Sequence, residues 1–215
     1  MAIHLLLATN NQGKVAEYLA LLATLSLDME MPPSTDVMAA PEETGFTFEE
    51  NALLKARYYA ERSGLLALAD DSGLEVDALN GGPGIYSARY GGAGISDADR
   101  VVKLLKELEG VPWERRTARF RCVVALVWPD GAEETFHGAM EGYVTLEARG
   151  NNGFGYDPVF FLPKLGQTTA ELSQEAKNQL SHRAEAARKA VQRLQKETVS
   201  ERRPIDTEVN TPYHG

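Results

Sequence analysis

Four groups of residues in this chain could do chemistry. Thr9, Asn11 and Lys14, with Asn10, Gln12 and Gly13 among them, place a hydroxyl, an amide and an ammonium between an apolar run and a helical pattern. Free N–H groups at a helix start suit phosphate oxygens; the same residues equally suit an ordinary N-cap with Lys14 in solvent. Asp70-Asp71-Ser72-Gly73 follows the buried run Leu65–Ala69. Adjacent carboxylates repel and strand side chains alternate, so one is expected to face away and cap a turn. The other could bind Mg²⁺ or orient a water, with Glu42-Glu43 supplying a second acid; a plain turn would use the same residue types. Gly153-Phe154-Gly155-Tyr156-Asp157-Pro158 could lay a ring against a planar base with a carboxylate at its edge, or simply plug a core. Lys177 and Ser181-His182-Arg183, read at the start of the last helix, put cations where the helix dipole prefers anions. That placement points to an anionic or carbonyl-bearing ligand.

The elements that must position these groups follow from periodicity. Ile3–Ala8 has strand length, and Val15, Leu19 and Leu22 repeat at helical spacing after the polar turn. Leu27, Met29 and Met31 alternate as a second strand, stopped by Pro32-Pro33. Thr47 with Glu50 forms a capping box for a helix to about Ser63, closed by Gly64. Ser96 caps another helix with Val101, Leu104, Leu105 and Leu108 on its apolar face. Arg119–Trp128, Thr135–Leu146 and Val159–Leu162 read as strands, and Ala184 to Lys196 as the last long helix. Interleaved strands and helices, with adjacent strands in the middle, give an α/β fold with a mixed sheet. After Glu197 periodicity is lost, so we read one domain over residues 1–197 and a tail over 198–215.

Composition narrows the function. The chain has 215 residues, 43% hydrophobic and 25% charged, which is globular and excludes disordered or fibrous classes. One cysteine, Cys122, leaves no intrachain disulfide and no multi-cysteine zinc site, as expected of a reducing, cytoplasmic setting. The longest apolar run, Cys122–Trp128, is far short of a membrane span, and no signal peptide is visible at Met1–Ala8. A net charge of −9 disfavours a nucleic-acid binder. Familiar nucleotide motifs fail: Ala8 stands where a P-loop needs its first glycine, and each Gly-x-Gly lacks the third glycine of a dinucleotide fingerprint. Ser72 lacks a nucleophile-elbow context.

Taken in order, the blocks resemble the inosine triphosphate pyrophosphatase, or Ham1-like, family over about Ile3 to Leu194. They are Thr9-x-Asn11-x-x-Lys14, Glu42-Glu43-Thr44-Gly45-x-Thr47-Phe48-x-Glu50-Asn51-Ala52, Ala69-Asp70-Asp71-Ser72-Gly73-Leu74, Pro83-Gly84-Ile85-Tyr86-Ser87-Ala88-Arg89, Gly153–Pro158 and Ser181-His182-Arg183. Asn10 and Asn151-Asn152 depart from the pattern. The resemblance implies an elongated, two-lobed α/β fold around a long mixed sheet with the nucleotide in a central cleft, as a homodimer. It also implies Mg²⁺-dependent hydrolysis of ITP, dITP and XTP to the monophosphate and pyrophosphate. By position, Thr9, Asn10, Asn11, Gln12, Gly13 and Lys14 would hold the triphosphate, and Asp71 would be general base and metal-associated carboxylate. Glu43 would be the second metal-side acid, with Glu42 the weaker choice. Ser72 would touch phosphate and Phe154 would stack on the base. Gly155, Tyr156, Asp157, Lys177, His182 and Arg183 would complete the pocket.

The chemistry of such a site is coherent. Water attacking the α-phosphorus expels pyrophosphate, and cations and turn amides neutralise the charge that develops. His182 or Arg183 could donate to a 6-carbonyl, which hypoxanthine and xanthine present and adenine does not; guanine shares that carbonyl and must be rejected otherwise. A catalytically silent sensor of aberrant purines and a pyrophosphatase of pyrimidine or modified nucleotides are the competing classes.

Overall fold

The structure is a computed structural model that describes residues 3–23, 25, 27–32, 41–92 and 94–200. Strand β1 (Ile3–Leu7) leads through a short turn to α1 (Gln12–Leu22) and β2 (Leu27–Glu30); α2 (Phe48–Ser63) precedes β3 (Leu66–Val76). Then come α3 (Asp97–Glu107), β4 (Thr117–Val127), β5 (Glu133–Val144), β6 (Phe160–Leu162), β7 (Gln167–Thr168), α4 (Gln174–Leu180) and α5 (His182–Ser200). Among the described residues the sheet has seven strands in the order β2-β1-β3-β4-β5-β6-β7. β2, β1 and β3 are parallel and every later pairing is antiparallel, so the expected mixed sheet with central hairpins is present.

Local chemistry sets the element ends. Asn11 caps α1 by accepting from Lys14 N–H at 3.1 Å. Thr47 caps α2 by accepting from Glu50 N–H at 3.1 Å, while the Glu50 carboxylate reaches one residue further back, to Phe46 N–H at 2.6 Å. Gly64 ends α2 in the left-handed region, φ 68°, which a side chain would strain.

The long strands carry packing on both faces and at both ends. Leu5, Leu7, Leu66 and Leu68 meet Tyr18 and Leu22 of α1 and Ala186, Ala187 and Ala190 of α5. On the opposite face Leu6, Ala67 and Ala69 meet Ala52, Ala56 and Tyr59 of α2. Further along, Leu74, Val76, Phe120 and Met140 form a separate core with Val101 and Leu104 of α3. The cleft described below lies between these zones.

Three expectations need correction. The sequence reading ends the third strand at Ala69 in a turn. Instead β3 runs on, because β4 pairs Asp70 with Val124, Asp71 with Val123, Ser72 with Cys122 and Gly73 with Arg121. No turn exists there for either aspartate to cap. Lys177 belongs to α4 rather than to the last helix, which begins at His182. The backbone of residues 198–200 continues α5, so the irregular tail does not start at 198; residues 201–215 lie outside those described.

β1 stops early, and this opens the site. It pairs with β3 only from Leu5 to Leu7, with one further bond from Ala8 N–H to Leu68 O at 2.7 Å. Among the described residues no strand covers that edge of β3 again until Glu75 bridges Pro83.

Candidate active site

Past the end of β1 lies a cleft of about 640 Å³. Its walls include the Thr9–Lys14 turn, Glu43, Lys55, Asp70 to Gly73, Phe154 to Asp157, Lys177, His182 and Arg183. Sixteen residues selected from the sequence, scattered over more than 170 positions, thus face one space. Glu42 is exposed and not among the lining residues; Glu43 is.

The aspartate doublet divides between the two faces of β3. Asp70 points toward α1 and α5, where Lys14 Nζ lies 3.0 Å from Oδ1 and Arg183 Nε 3.3 Å from Oδ2. Burial would raise the Asp70 carboxyl, but Lys14, Arg183 and Lys55 outweigh it and hold it well below the usual carboxylate range. Asp71 points toward α2. Asn51 Nδ2 donates to its Oδ2 at 3.1 Å, and its own strand gives Oδ1 a bond from Ser72 N–H at 3.0 Å. Burial dominates here and raises Asp71, with Lys55 and Lys14 opposing and the charge of Glu43 adding. One carboxylate is a locked anion; its neighbour is poised nearer neutrality.

Lys55 stands between acids. Its Nζ is 2.5 Å from Glu43 Oε1 and 3.6 Å from Asp71 Oδ1. Burial opposes the Lys55 charge, but Asp71 and Glu43 more than compensate and raise its pKa; Glu43, also penalised by burial, is lowered by Lys55. Arg89 holds the other Glu43 oxygen at 3.2 Å.

The opposite end of the cleft is built from a buried ion chain. Asp157 Oδ2 accepts from Lys177 Nζ at 2.5 Å and from Phe154 N–H at 2.9 Å, and Oδ1 from the Thr169 hydroxyl at 2.8 Å. Lys177 also pairs with Glu17 at 2.9 Å, and Glu17 pairs in turn with Arg183. Arg183 gives a further bond to Ser72 Oγ at 2.8 Å. His182 stacks on Phe120, ring centroids 4.8 Å apart, and its buried Nδ1 has no hydrogen-bond partner. Burial, then Arg183 and Lys177, push His182 well below its usual pKa, so the ring is neutral. The Phe154 ring lies 4.8 Å from Lys177 Nζ and rests on the backbone of Gly13.

Membership is decided over most of the chain. The sequence pattern of the Ham1 family matches residues 5–193. The chain belongs to the Ham1 family. It is 50% identical over 184 residues to a dITP/XTP pyrophosphatase of Bacillus licheniformis, covering 86% of this chain and 94% of that protein. It is 53% identical over 186 residues to a dITP/XTP pyrophosphatase of Pectobacterium atrosepticum, covering 85% and 93%. The solved HAM1 protein of Coxiella burnetii superposes with a TM-score of 0.81 at 43% identity, over 90% of this chain and 99% of that one.

Around this Ham1 cleft several residues take parts that sequence reasoning did not assign; of these Lys55 lines it. Glu17, Asn51 and Lys55 are buried or nearly so and touch Arg183, Asp71 and Glu43. Spacing offered a signal for two of them. Asn51 and Lys55 are four apart on α2, flanking the buried Ala52 and Ala56, so they share the helix's inner margin. Gly13 also has a different reason than phosphate approach: a Cβ there would sit 2.6 Å from Phe154 Cδ1. Asp157 turns its carboxylate to its own loop and Lys177, so it fixes the loop instead of presenting a free acceptor. Among the described residues no helix is long and apolar enough to cross a membrane.

Proposed function

We propose that this protein hydrolyses non-standard purine nucleoside triphosphates (ITP, dITP and XTP) to the monophosphate and pyrophosphate, withdrawing them from the nucleotide pool. The observation that carries the reading is the split doublet. Asp71, raised by burial and held by Asn51, lines the same cleft as the Thr9–Lys14 turn and Phe154. The similarity to the dITP/XTP pyrophosphatases of Bacillus licheniformis and Pectobacterium atrosepticum supports it.

Asp71 takes the proton from the attacking water, for which a carboxyl raised toward working pH is suited. Asn51 fixes the orientation of that carboxylate. Lys14, Lys55 and the residues of the α1 start line the cleft and supply the cations and amides that would neutralise the charge developing as pyrophosphate leaves. Glu43 and Asp71 fit Mg²⁺: their hard oxygen donors converge on ground now held by the Lys55 ammonium, and Mg²⁺ commonly uses one or two carboxylates plus substrate phosphates. When bound, the ion would neutralise phosphate charge.

Base selection follows from the far end. Lys177 and Arg183 are paired with Glu17, Asp157 and Asp70 yet keep N–H groups beyond those bonds, and His182 adds another donor, while the carboxylates Glu17 and Asp157 are engaged by the same cations. A purine rim of carbonyls finds partners; an exocyclic amino group of adenine or guanine meets occupied acceptors. Phe154 stacks on the base face. The family resemblance adds a homodimer, and the single cysteine adds a reducing, cytoplasmic setting, which light scattering and fractionation test.

Pyrophosphate release from ITP, dITP, XTP, GTP, ATP and dUTP, with and without chelator, tests the reading. Specificity constants should favour the first three, vanish with chelator and return with Mg²⁺. A preference for dUTP, or undiminished turnover in excess chelator, refutes it.

A further inference from the structure

Two links join the Phe154 loop to the segment Gly84–Arg89, and the reaction as derived uses neither. The first passes through α3. Gly155 N–H donates to Asp97 Oδ2 at 2.7 Å, across 58 residues of sequence. The other Asp97 oxygen holds the Arg100 guanidinium, which also donates to the carbonyl of Ala88. The second link is direct: the Tyr156 hydroxyl donates to the carbonyl of Ser87 at 2.9 Å.

The segment reached by both links borders the carboxylates. Ser87 Oγ accepts from Leu74 N–H at 2.9 Å and donates to Gly84 O at 2.6 Å, which pins the segment on β3 beside Gly73. Two residues further, Arg89 holds Glu43 at 3.2 Å. At the other end, Gly153 and Gly155 have φ of 77° and 61°, a form that glycine takes without strain and as one of many, so the loop's position depends on support from its neighbours. Asp97 supplies that support from the opposite wall, and both Asp97 and Arg100 line the cleft.

We infer that Asp97 and Arg100 are positioning residues that, together with Tyr156, strap the base-stacking loop to the segment carrying Arg89 and so to Glu43. The strap sets the spacing between Phe154 and Glu43, which must match the distance from nucleobase to phosphates in one substrate. It rests on the roles proposed above for Phe154 and Glu43. Misplacement by about 1 Å is enough to cost a reaction up to about 100-fold, so the spacing matters for turnover as well as binding.

The test compares Asp97→Ala, Asp97→Asn, Tyr156→Phe and the double variant Asp97→Ala/Tyr156→Phe. Melting temperature, kcat, KM for ITP, and hydrogen exchange at the Gly155 amide are measured for each. Because the two links act in parallel on the same loop, each single loss should lower kcat/KM by about tenfold or less, and the double variant by more than the product of the singles. Asp97→Asn, whose amide oxygen still accepts from Gly155, should recover much of the loss and of the amide protection. A double variant at the simple product, or variants that melt lower with kcat and exchange unchanged, overturns the inference. A parent protein inactive on every purine triphosphate would instead overturn the proposed function, and Gly155 exchange would still report on the strap.

Discussion

Replacing each member of the aspartate doublet by asparagine should separate stability from turnover. Asp70→Asn removes a buried charge that neutralises Lys14 at 3.0 Å and Arg183 at 3.3 Å, leaving Arg183 with Glu17 as its carboxylate partner. Breaking a buried pair in this way costs about 3–5 kcal/mol. At about 2–4 °C per kcal/mol for a domain of this size, the melting temperature should fall by about 6–20 °C. Asp71→Asn is different. Asn51 keeps an acceptor, Lys55 keeps Glu43, and the burial that raises Asp71 ceases to penalise a charge. Its melting temperature should stay near the parent value, while kcat drops about 10²–10⁴-fold with loss of the general base. The pH dependence carries a sign. Asp70 is lowered in the folded state, so its contribution is present above its unfolded value of about 4 and is lost as pH falls through its native value. The melting gap between parent and Asp70→Asn should therefore shrink in acid. Calorimetry from pH 3 to 8 and pyrophosphate release below the melting point measure both effects. If Asp71→Asn destabilises more than Asp70→Asn, or if folded Asp70→Asn loses more turnover, the division of labour is wrong.

Gly13→Ala places a Cβ 2.6 Å from Phe154 Cδ1 and should raise KM for all purine triphosphates by about tenfold, equivalent to about 1.4 kcal/mol, leaving the ITP-to-ATP ratio unchanged; a changed ratio or unchanged KM counts against Phe154 as the base platform. His182→Ala or Arg183→Lys should lower the ITP-to-ATP ratio of specificity constants by about 5- to 150-fold, and a constant ratio in both would move selection elsewhere. The acid limb of kcat/KM should lie above the ordinary aspartate value of about 4, because burial raises Asp71; a limb at or below that value would contradict it. Arg116→Met removes a buried guanidinium that binds the carbonyls of Leu108, Val111 and Thr145 at 2.7, 3.0 and 2.9 Å, and should destabilise by at least about 2 kcal/mol in denaturant titration.

What the sequence made readable was local. The run Ile3–Ala8, the polar turn and the helix after it, and the Thr47 and Ser96 caps, are specified within a few residues of themselves, and they stand as expected. The course of β3 was not readable in that way. Asp, Ser and Gly favour turns by local preference, but pairing with β4, some fifty residues on, overrides it. Glu17 looks like a solvent-facing helix residue, and Asn51 and Lys55 mark no more than the inner margin of α2, until their partners on β3, α5 and the Glu43 segment are brought alongside. Long-range partners cannot be read from spacing, whereas block order across the chain could.

The doublet has a consequence for how β3 finds its place. If the strand slid by one residue along its neighbours, each face of the sheet would still receive one carboxylate, so charge alone does not distinguish the two registers. Size does. In the slipped arrangement leucines would enter the space now held by Ala67 and Ala69 against α2, and a side chain would replace Gly73, where a Cβ would lie 2.5 Å from Ser87 Oγ and collide with the carbonyl of Gly84. The residue with no side chain at all is thus the one that tells two adjacent, identical acids apart.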